Sequence, residues 1–378
     1  MKTILAAVVA ETIVNKGFNM TYAAITGWGK CLPPATLTND DLATFLETDD
    51  EWITSRTGMK ERRISHVTVS ELAYVACAKA LAAAGKTAED VDLIVFGSTT
   101  FDELCPNAAS NVQRLLGAKN AACMDVSTAC TGGMYSLSVA TSMIKSGVVK
   151  SALVIGAETI SPIMDWENRD VAVLFGDGSA ALYLEQSDEE SGVITEALGC
   201  YGESRDILSV EGWGMKYANK GRALGQTNWA FLGQEIFKKA VAGMSQACDK
   251  ALAKAELSAE QITSVVPHQA NLRIIDTLVK RLKMDKEKVF VNIHKYGNMS
   301  AATTLVAFVE AIEESFIAKD SYVLLPAFGG GLTWSAHVVK WGNRNHALAT
   351  TDVKLPECDK SGLELVTDII NAKKSVTN

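Results

Sequence analysis

Three stretches of this 378-residue chain place reactive or hydrogen-bonding side chains where a strand pattern gives way to a helix pattern. In MDVSTACTGGMYSLSVATSMIKSG, residues 124–147, the apolar run 121–126 leads into small residues and then an amphipathic helix. Met134, Leu137, Val139 and Met143 fall on the face to be buried. Cys130 stands at the switch, where the positive end of the helix dipole favours thiolate and Gly132 and Gly133 leave open space. His268, in VVPHQANLRI, follows the apolar run 264–267, and Asn298 lies in HKYGNMSAA. The glycines of FGGG, 328–331, bring backbone N–H groups with no side chain in the way. A thiol, an imidazole, an amide and free N–H groups together can attack an acyl carbonyl and hold the developing oxyanion. Taken singly, each has a plainer reading: a buried structural cysteine, a structural histidine, a helix cap and a turn. No acidic residue stands out behind His268, which favours His268 and Asn298 as hydrogen-bond donors over His268 as a hydrolase base.

The elements that must position these groups recur. KALAAAGKTAEDVDLIV, 79–95, aligns without gaps on KALAKAELSAEQITSVV, 250–266. Each copy is followed by a helix, a strand (121–126 and 289–293), a small-residue turn and another long helix. The chain reads as a duplicated half, an α/β fold with parallel-rich sheets covered by helices, and Asn298 falls within a residue or so of the counterpart of the Cys130 turn. Strands are also expected at 22–28, 93–96, 151–156, 171–184, 322–326 and 335–341. FGDG, 175–178, reads as a turn, since neither a Walker nor a dinucleotide fingerprint surrounds it. Residues 49–64 read as a charged loop, 202–229 as a surface excursion and 342–378 as an unassigned tail with one short helix at 362–371. Expected boundaries are an extension at 1–20, a first half at 21–190 with the cysteine, a second half at 191–341 with the histidine and asparagine, and the tail.

Apolar residues make up 48% and charged ones 21%, as in a globular protein, and the net charge of -8 argues against a general nucleic-acid binder. No apolar run is long enough to span a bilayer, and the run 4–10 is short, with a poor cleavage context, for a signal peptide. The eight cysteines lie far apart without CxxC pairs, which argues against zinc or a disulfide framework and for a reducing cytoplasm.

DVSTACTGG, PHQANLRI, YGNMSAA and FGGGLTW, in this order and spacing from about residue 21 to 341, closely resemble the β-ketoacyl-acyl carrier protein synthase III family of the thiolase superfamily. The resemblance implies a thiolase-like duplicated fold of two pseudo-two-fold-related halves in αβαβα layers, acting as a homodimer with no metal or redox cofactor. Cys130 would accept an acyl group from acyl-CoA, with His268 and Asn298 as partners and the N–H groups of Cys130 and Gly330 as the oxyanion hole. Malonyl-acyl carrier protein would then be decarboxylated and condensed. Trp52, Arg56 and Arg169 match coenzyme A contacts, and Arg273 a carrier-protein contact; Lys280 and Arg281 extend that basic face. Phe175 matches an acyl-pocket position. Cys105 stands where acetyl-restricted members commonly carry a Phe that reaches the partner's pocket, implying a deeper pocket for medium-chain acyl-CoA. The competing expectations are acyl transfer from Cys130 to a non-malonyl acceptor in secondary metabolism, and a non-catalytic acyl-CoA or carrier-protein binding module.

Overall fold

The computed structural model describes residues 21–212 and 227–377. The expected extension at 1–20 and the middle of the 202–229 excursion lie outside the described residues. Thirteen strands are described: β1 Tyr22–Cys31, β2 Thr36–Thr38, β3 Glu61–Arg63, β4 Leu93–Gly97, β5 Ala122–Val126, β6 Ser151–Glu158, β7 Gly178–Ser187, β8 Gly192–Cys200, β9 Leu208–Glu211, β10 Asn228–Phe231, β11 Ile262–Val265, β12 Tyr322–Gly329 and β13 Thr333–Lys340. Nine of them form one sheet in the order β11-β12-β13-β8-β1-β7-β6-β4-β5.

That order contains one arrangement twice. From the middle outward, β1 meets β7 antiparallel, β7 meets β6 antiparallel, and β6, β4 and β5 run parallel. Likewise β8 meets β13 antiparallel, β13 meets β12 antiparallel, and β12 and β11 run parallel. The two sets join through a single pair, Ala23 with Gly192. The expectation of parallel-rich sheets is therefore corrected to a mixed sheet. Gly330–Leu332 alone connects β12 to β13, and a parallel crossover needs a dozen residues or more.

Packing makes five layers. The central pair of helices, Gly132–Lys145 and Thr303–Glu313, share one apolar cluster that includes Met134, Leu137, Ile144, Leu305, Phe308 and Ile312. Every residue from Thr303 to Ile312 is buried, as a helix enclosed on all sides requires. Helices Val69–Ala84 and Ala108–Leu116 cover the outer face of the first set of strands, and Gly233–Ala255 and Leu272–Leu282 that of the second.

Several local expectations change. Residues 49–64 are not a loop: Asp50–Thr57 is a helix, capped by Asp49 and closed by Gly58 at φ +81°. The strand expected from Val171 begins only at Gly178, after the short helix Arg169–Ala172 that Asn168 caps. The strand expected at 289–293 is reduced to one bridge, Val265 with Val289, before the chain turns into the helix Ile293–Tyr296. Within the 202–229 excursion, β9 and β10 pair as an antiparallel ribbon. The tail carries a longer helix than expected, Gly362–Thr377, seated against the body of the molecule.

Candidate active site

Cys130 sits in a single 3₁₀ turn, Ala129–Thr131, between β5 and the helix Gly132–Lys145. Ala129 adopts the left-handed conformation at φ +49°. The Thr131 hydroxyl fixes the turn at the Thr128 carbonyl, 2.8 Å, and the Thr333 hydroxyl, 2.7 Å. The turn with Asn298 lies directly against it. Gly133, at the start of the helix that follows Cys130, permits this, because a Cβ there would stand 2.6 Å from the Ala301 carbonyl. The Ser300 N–H and the Thr303 hydroxyl donate to the Asn298 Oδ1 at 2.8 and 3.1 Å, which leaves Nδ2 to face the Cys130 Sγ at 4.0 Å. His268 follows β11, its N–H held by the Pro326 carbonyl at 2.9 Å, and lines the same cleft as Cys130 and Asn298. Gly329 closes the group: a Cβ on it would stand 2.8 Å from the Cys130 nitrogen and 2.9 Å from the Thr131 nitrogen.

Burial sets the charge state of the pair. Cys130 is 7% exposed and its thiol is pushed up to about 11, mainly by desolvation. Hydrogen bonds from Ser300 and Asn298 oppose that rise, and the negative charge of Glu158 adds to it. His268 is 3% exposed and burial lowers it to about 3, so its ring is neutral at pH 7. A resting thiolate–imidazolium pair is therefore disfavoured, and the free site holds a thiol beside a neutral imidazole.

Glu158 is a residue that sequence reasoning missed. Fully buried at the end of β6, its carboxylate accepts from the hydroxyls of Ser98, Thr99, Thr100 and Ser300 and from the Thr99 N–H. Ser300 thus spans two jobs, its hydroxyl on Glu158 at 3.0 Å and its N–H on Asn298 at 2.8 Å. The available signal was an acidic residue closing the otherwise apolar strand ALVIGAE.

Two clefts meet at Cys130. The first, of about 990 Å³, is bordered by Trp52, Arg56, His268, Arg273, Asn298 and Gly329. The guanidinium groups of Arg56 and Arg169 each stand 4.5 Å from the Trp52 ring centroid, and Arg169 is fixed by the Glu47 carbonyl at 2.6 Å. Arg273 reaches the Ser55 carbonyl at 2.9 Å, while Lys280 and Arg281 lie exposed further along its helix. The second cleft, of about 1010 Å³, runs past Gly330 to Phe101, Leu104, Ile160 and Phe175, and Phe175 packs at a tilt against Trp229 with centroids 5.2 Å apart. Cys105 is exposed next to Leu104 and borders neither cleft within one chain. FGDG is a structural turn: its buried Asp177 accepts from the N–H groups of Ser65, Ile160 and Ser161.

Family models for 3-oxoacyl-[acyl-carrier-protein] synthase III match residues 124–202, and its C-terminal part residues 252–341. A β-ketoacyl-[acyl-carrier-protein] synthase III 2 of Vibrio vulnificus is 51% identical over 93% of this chain and 98% of its own. The chain belongs to the β-ketoacyl-[acyl-carrier-protein] synthase III family. It is a condensing enzyme of fatty acid biosynthesis on a thiolase-like fold. A synthase III of Roseiflexus sp. is 43% identical over 85% of this chain and 98% of its own. The crystal structure of the Aquifex aeolicus synthase III superposes with a TM-score of 0.79 at 41% identity, covering 84% of this chain and all of that one. The Vibrio match leaves out fewer residues than follow Trp341, so it takes in part of the tail. Among the described residues no helix is long and apolar enough to cross a membrane, and no group of three His, Cys, Asp or Glu could hold a metal ion.

Proposed function

We propose that this synthase III joins an acyl-CoA primer to malonyl-acyl carrier protein by acyl transfer through Cys130. The sulfur attacks the acyl-CoA thioester, an S–C bond forms, and coenzyme A leaves with the thiol proton. Coenzyme A lies in the first cleft, with Trp52, Arg56 and Arg169 against its nucleotide and phosphates, and the acyl chain extends into the second cleft past Phe175. The N–H groups of Cys130 and Gly330 hold the tetrahedral oxyanion.

Malonyl-acyl carrier protein then docks on Arg273, Lys280 and Arg281, a basic face on an otherwise acidic protein. The neutral His268 ring and the Asn298 amide donate to the malonyl thioester oxygen. Their hydrogen bonds strengthen as CO2 departs and enolate charge develops, and the carbanion attacks the acyl–Cys130 thioester, releasing the thiolate. The reading needs no metal or redox cofactor and uses a homodimer, in which Cys105 of one chain leaves the partner's acyl pocket open to medium-chain primers. The observation that carries it is the Asn298 amide turned to the Cys130 sulfur in one cleft with a neutral, buried His268. That pair of donors favours decarboxylative condensation over transfer to a non-malonyl acceptor.

The test is intact-mass spectrometry after incubation with acyl-CoAs from two to ten carbons, then CO2 release on adding malonyl-acyl carrier protein. One acyl adduct is expected, absent in Cys130→Ala, with its chain-length range narrowed in Cys105→Phe. An adduct that forms while malonyl-acyl carrier protein releases no CO2 would sink the condensation, and an unchanged range in Cys105→Phe the pocket assignment.

A further inference from the structure

The tail after Trp341 returns across the molecule to a place of consequence. Arg344 stacks 4.9 Å over Trp28, and the N–H groups of Leu348 and Ala349 close the last carbonyls of the helix Val69–Ala84, those of Ala83 and Ala82, at 3.1 Å. The Pro356 carbonyl meets His66 at 3.0 Å. Ser361 and Glu364 then form reciprocal capping bonds, 2.8 and 3.2 Å, that start the helix Gly362–Thr377. A Cβ on Gly362 would stand 2.4 Å from the Thr36 carbonyl, so this end of the helix lies directly on the β2 backbone.

The buried face of that helix converges on the substrate site. Val366 is fully buried in the cluster that holds Ile53, Ile160, Met164, Trp166 and Phe175. Lys373 donates to the Met164 carbonyl at 2.7 Å. From the other side, Thr227 and Trp229 donate to the neighbouring Ile163 carbonyl at 2.6 and 3.1 Å. The segment 160–169 is thus held between the ribbon and the tail helix. Its Ile160 and Ile163 wall the second cleft, and its Arg169 forms one side of the Trp52 clamp.

We propose that the helix Gly362–Thr377 is a positioning element of the substrate site, fixing segment 160–169 and through it both the acyl cleft wall and Arg169. The proposal rests on the reading of the two clefts as acyl and coenzyme A sites. Its test uses the full chain carrying Val366→Ala or Lys373→Met, with steady-state kinetics on acetyl-, hexanoyl- and decanoyl-CoA well below each variant's melting temperature. Coupling through packed elements of this kind predicts a KM for acyl-CoA raised about three- to tenfold, largest for the longest chain. The kcat stays within about twofold, as for an interaction lost equally from ground and transition states. Alkylation of Cys130 by iodoacetamide is unaltered, and Lys373→Arg restores the KM. A lowered melting temperature with unchanged KM for all three primers in both variants overturns the proposal, leaving the helix a cover only. Should Val366→Ala fail to fold, Lys373→Met decides alone. Failure of the cleft reading is a separate result: the unmodified enzyme would then form no acyl adduct on Cys130.

Discussion

The turn at Cys130 and the turn at Ser300 are the same backbone device in the two repeated sets of strands. The offset that carries Lys79 to Lys250 also carries Ala129 to Ser300, Cys130 to Ala301, and all of β6 onto β12. Ala129 and Ser300 have φ +49° and +46°, and each opens a 3₁₀ turn that feeds a central helix. The chemistry is not duplicated. Where the first turn carries a sulfur, the second has the methyl of Ala301 and uses the Ser300 N–H to orient Asn298. The strand ends facing them differ in step: Glu158 at the end of β6 meets Ser300, whereas its counterpart Gly329 at the end of β12 meets Cys130. Likewise His268 has Gly97 as its counterpart, and a Cβ on Gly97 would stand 2.4 Å from the Gly132 carbonyl carbon. A symmetric frame therefore carries an asymmetric site, because each half's strand ends fill what the other half's turn requires.

The largest break in that division of labour is expected at His268. If the second set supplies donors for the condensation and not for acyl transfer, His268→Ala loses about 100- to 1,000-fold in CO2 release from malonyl-acyl carrier protein. Formation of the Cys130 adduct, timed by rapid-quench mass spectrometry, falls far less. Equal losses in both steps would mean that His268 serves the nucleophile directly.

Next is Gly329→Ala, which begins to erase the difference between the β12 and β6 ends. The added Cβ lies 2.8 Å from one backbone nitrogen and 2.9 Å from the next, so the Cys130 turn itself must shift. A displacement of that kind typically costs about 100-fold, expected here in the rate of adduct formation with a smaller fall in melting temperature. A variant that acylates at the normal rate would show that the close approach only packs the turn.

How much of this was legible in the sequence varied with the kind of signal. Cys130 stood out at a strand-to-helix switch, His268 directly after an apolar run and Asn298 near the counterpart of the Cys130 turn, and the aligned repeats exposed the duplication. Register was harder. Asn298 precedes the true counterpart of Cys130 by three residues, and His268 belongs to the end of the neighbouring strand, since the 289–293 strand that would fix the alignment is reduced to one bridge. The helix of Trp52 was readable from Asp49, Asp50 and Glu51 at its start and Arg56 and Gly58 at its end, signals obscured by the density of charge. The tail helix was legible in part, as the short helix at 362–371, and Glu158 only as an acidic end to an apolar strand; the roles of both were not. A buried carboxylate is defined by the five donors that surround it, which come from residues 98–100 and 300, and the tail's role depends on what its apolar side meets.

Glu158→Gln gives the smallest expected effect and the sharpest, because it moves two readouts in opposite directions. Burial raises Cys130 to about 11, with the Glu158 charge as a further cause, while Ser300 and Asn298 oppose it. His268, which lines the same cleft as Cys130, is lowered to about 3 by burial and so is neutral through the working range. Alkylation of Cys130 by iodoacetamide follows the thiolate, and in the unmodified enzyme its rate should still be climbing at pH 10 with no inflection near pH 6 to 7. Burial raises the Glu158 carboxyl, and the hydrogen bonds from Thr100, Ser300, Thr99 and Ser98 oppose that rise and favour the anion. Replacing it by a neutral amide removes a negative charge that disfavours thiolate, and the alkylation profile moves to lower pH. The same change puts an NH2 donor against hydroxyls that already donate, loosens Ser300 and releases Asn298 from its orientation. Condensation is then expected to fall about tenfold while alkylation at pH 8 becomes faster. An unmoved alkylation profile would mean that Glu158 is protonated in the native enzyme, and that the β6 end supports its turn by packing and hydrogen bonds alone.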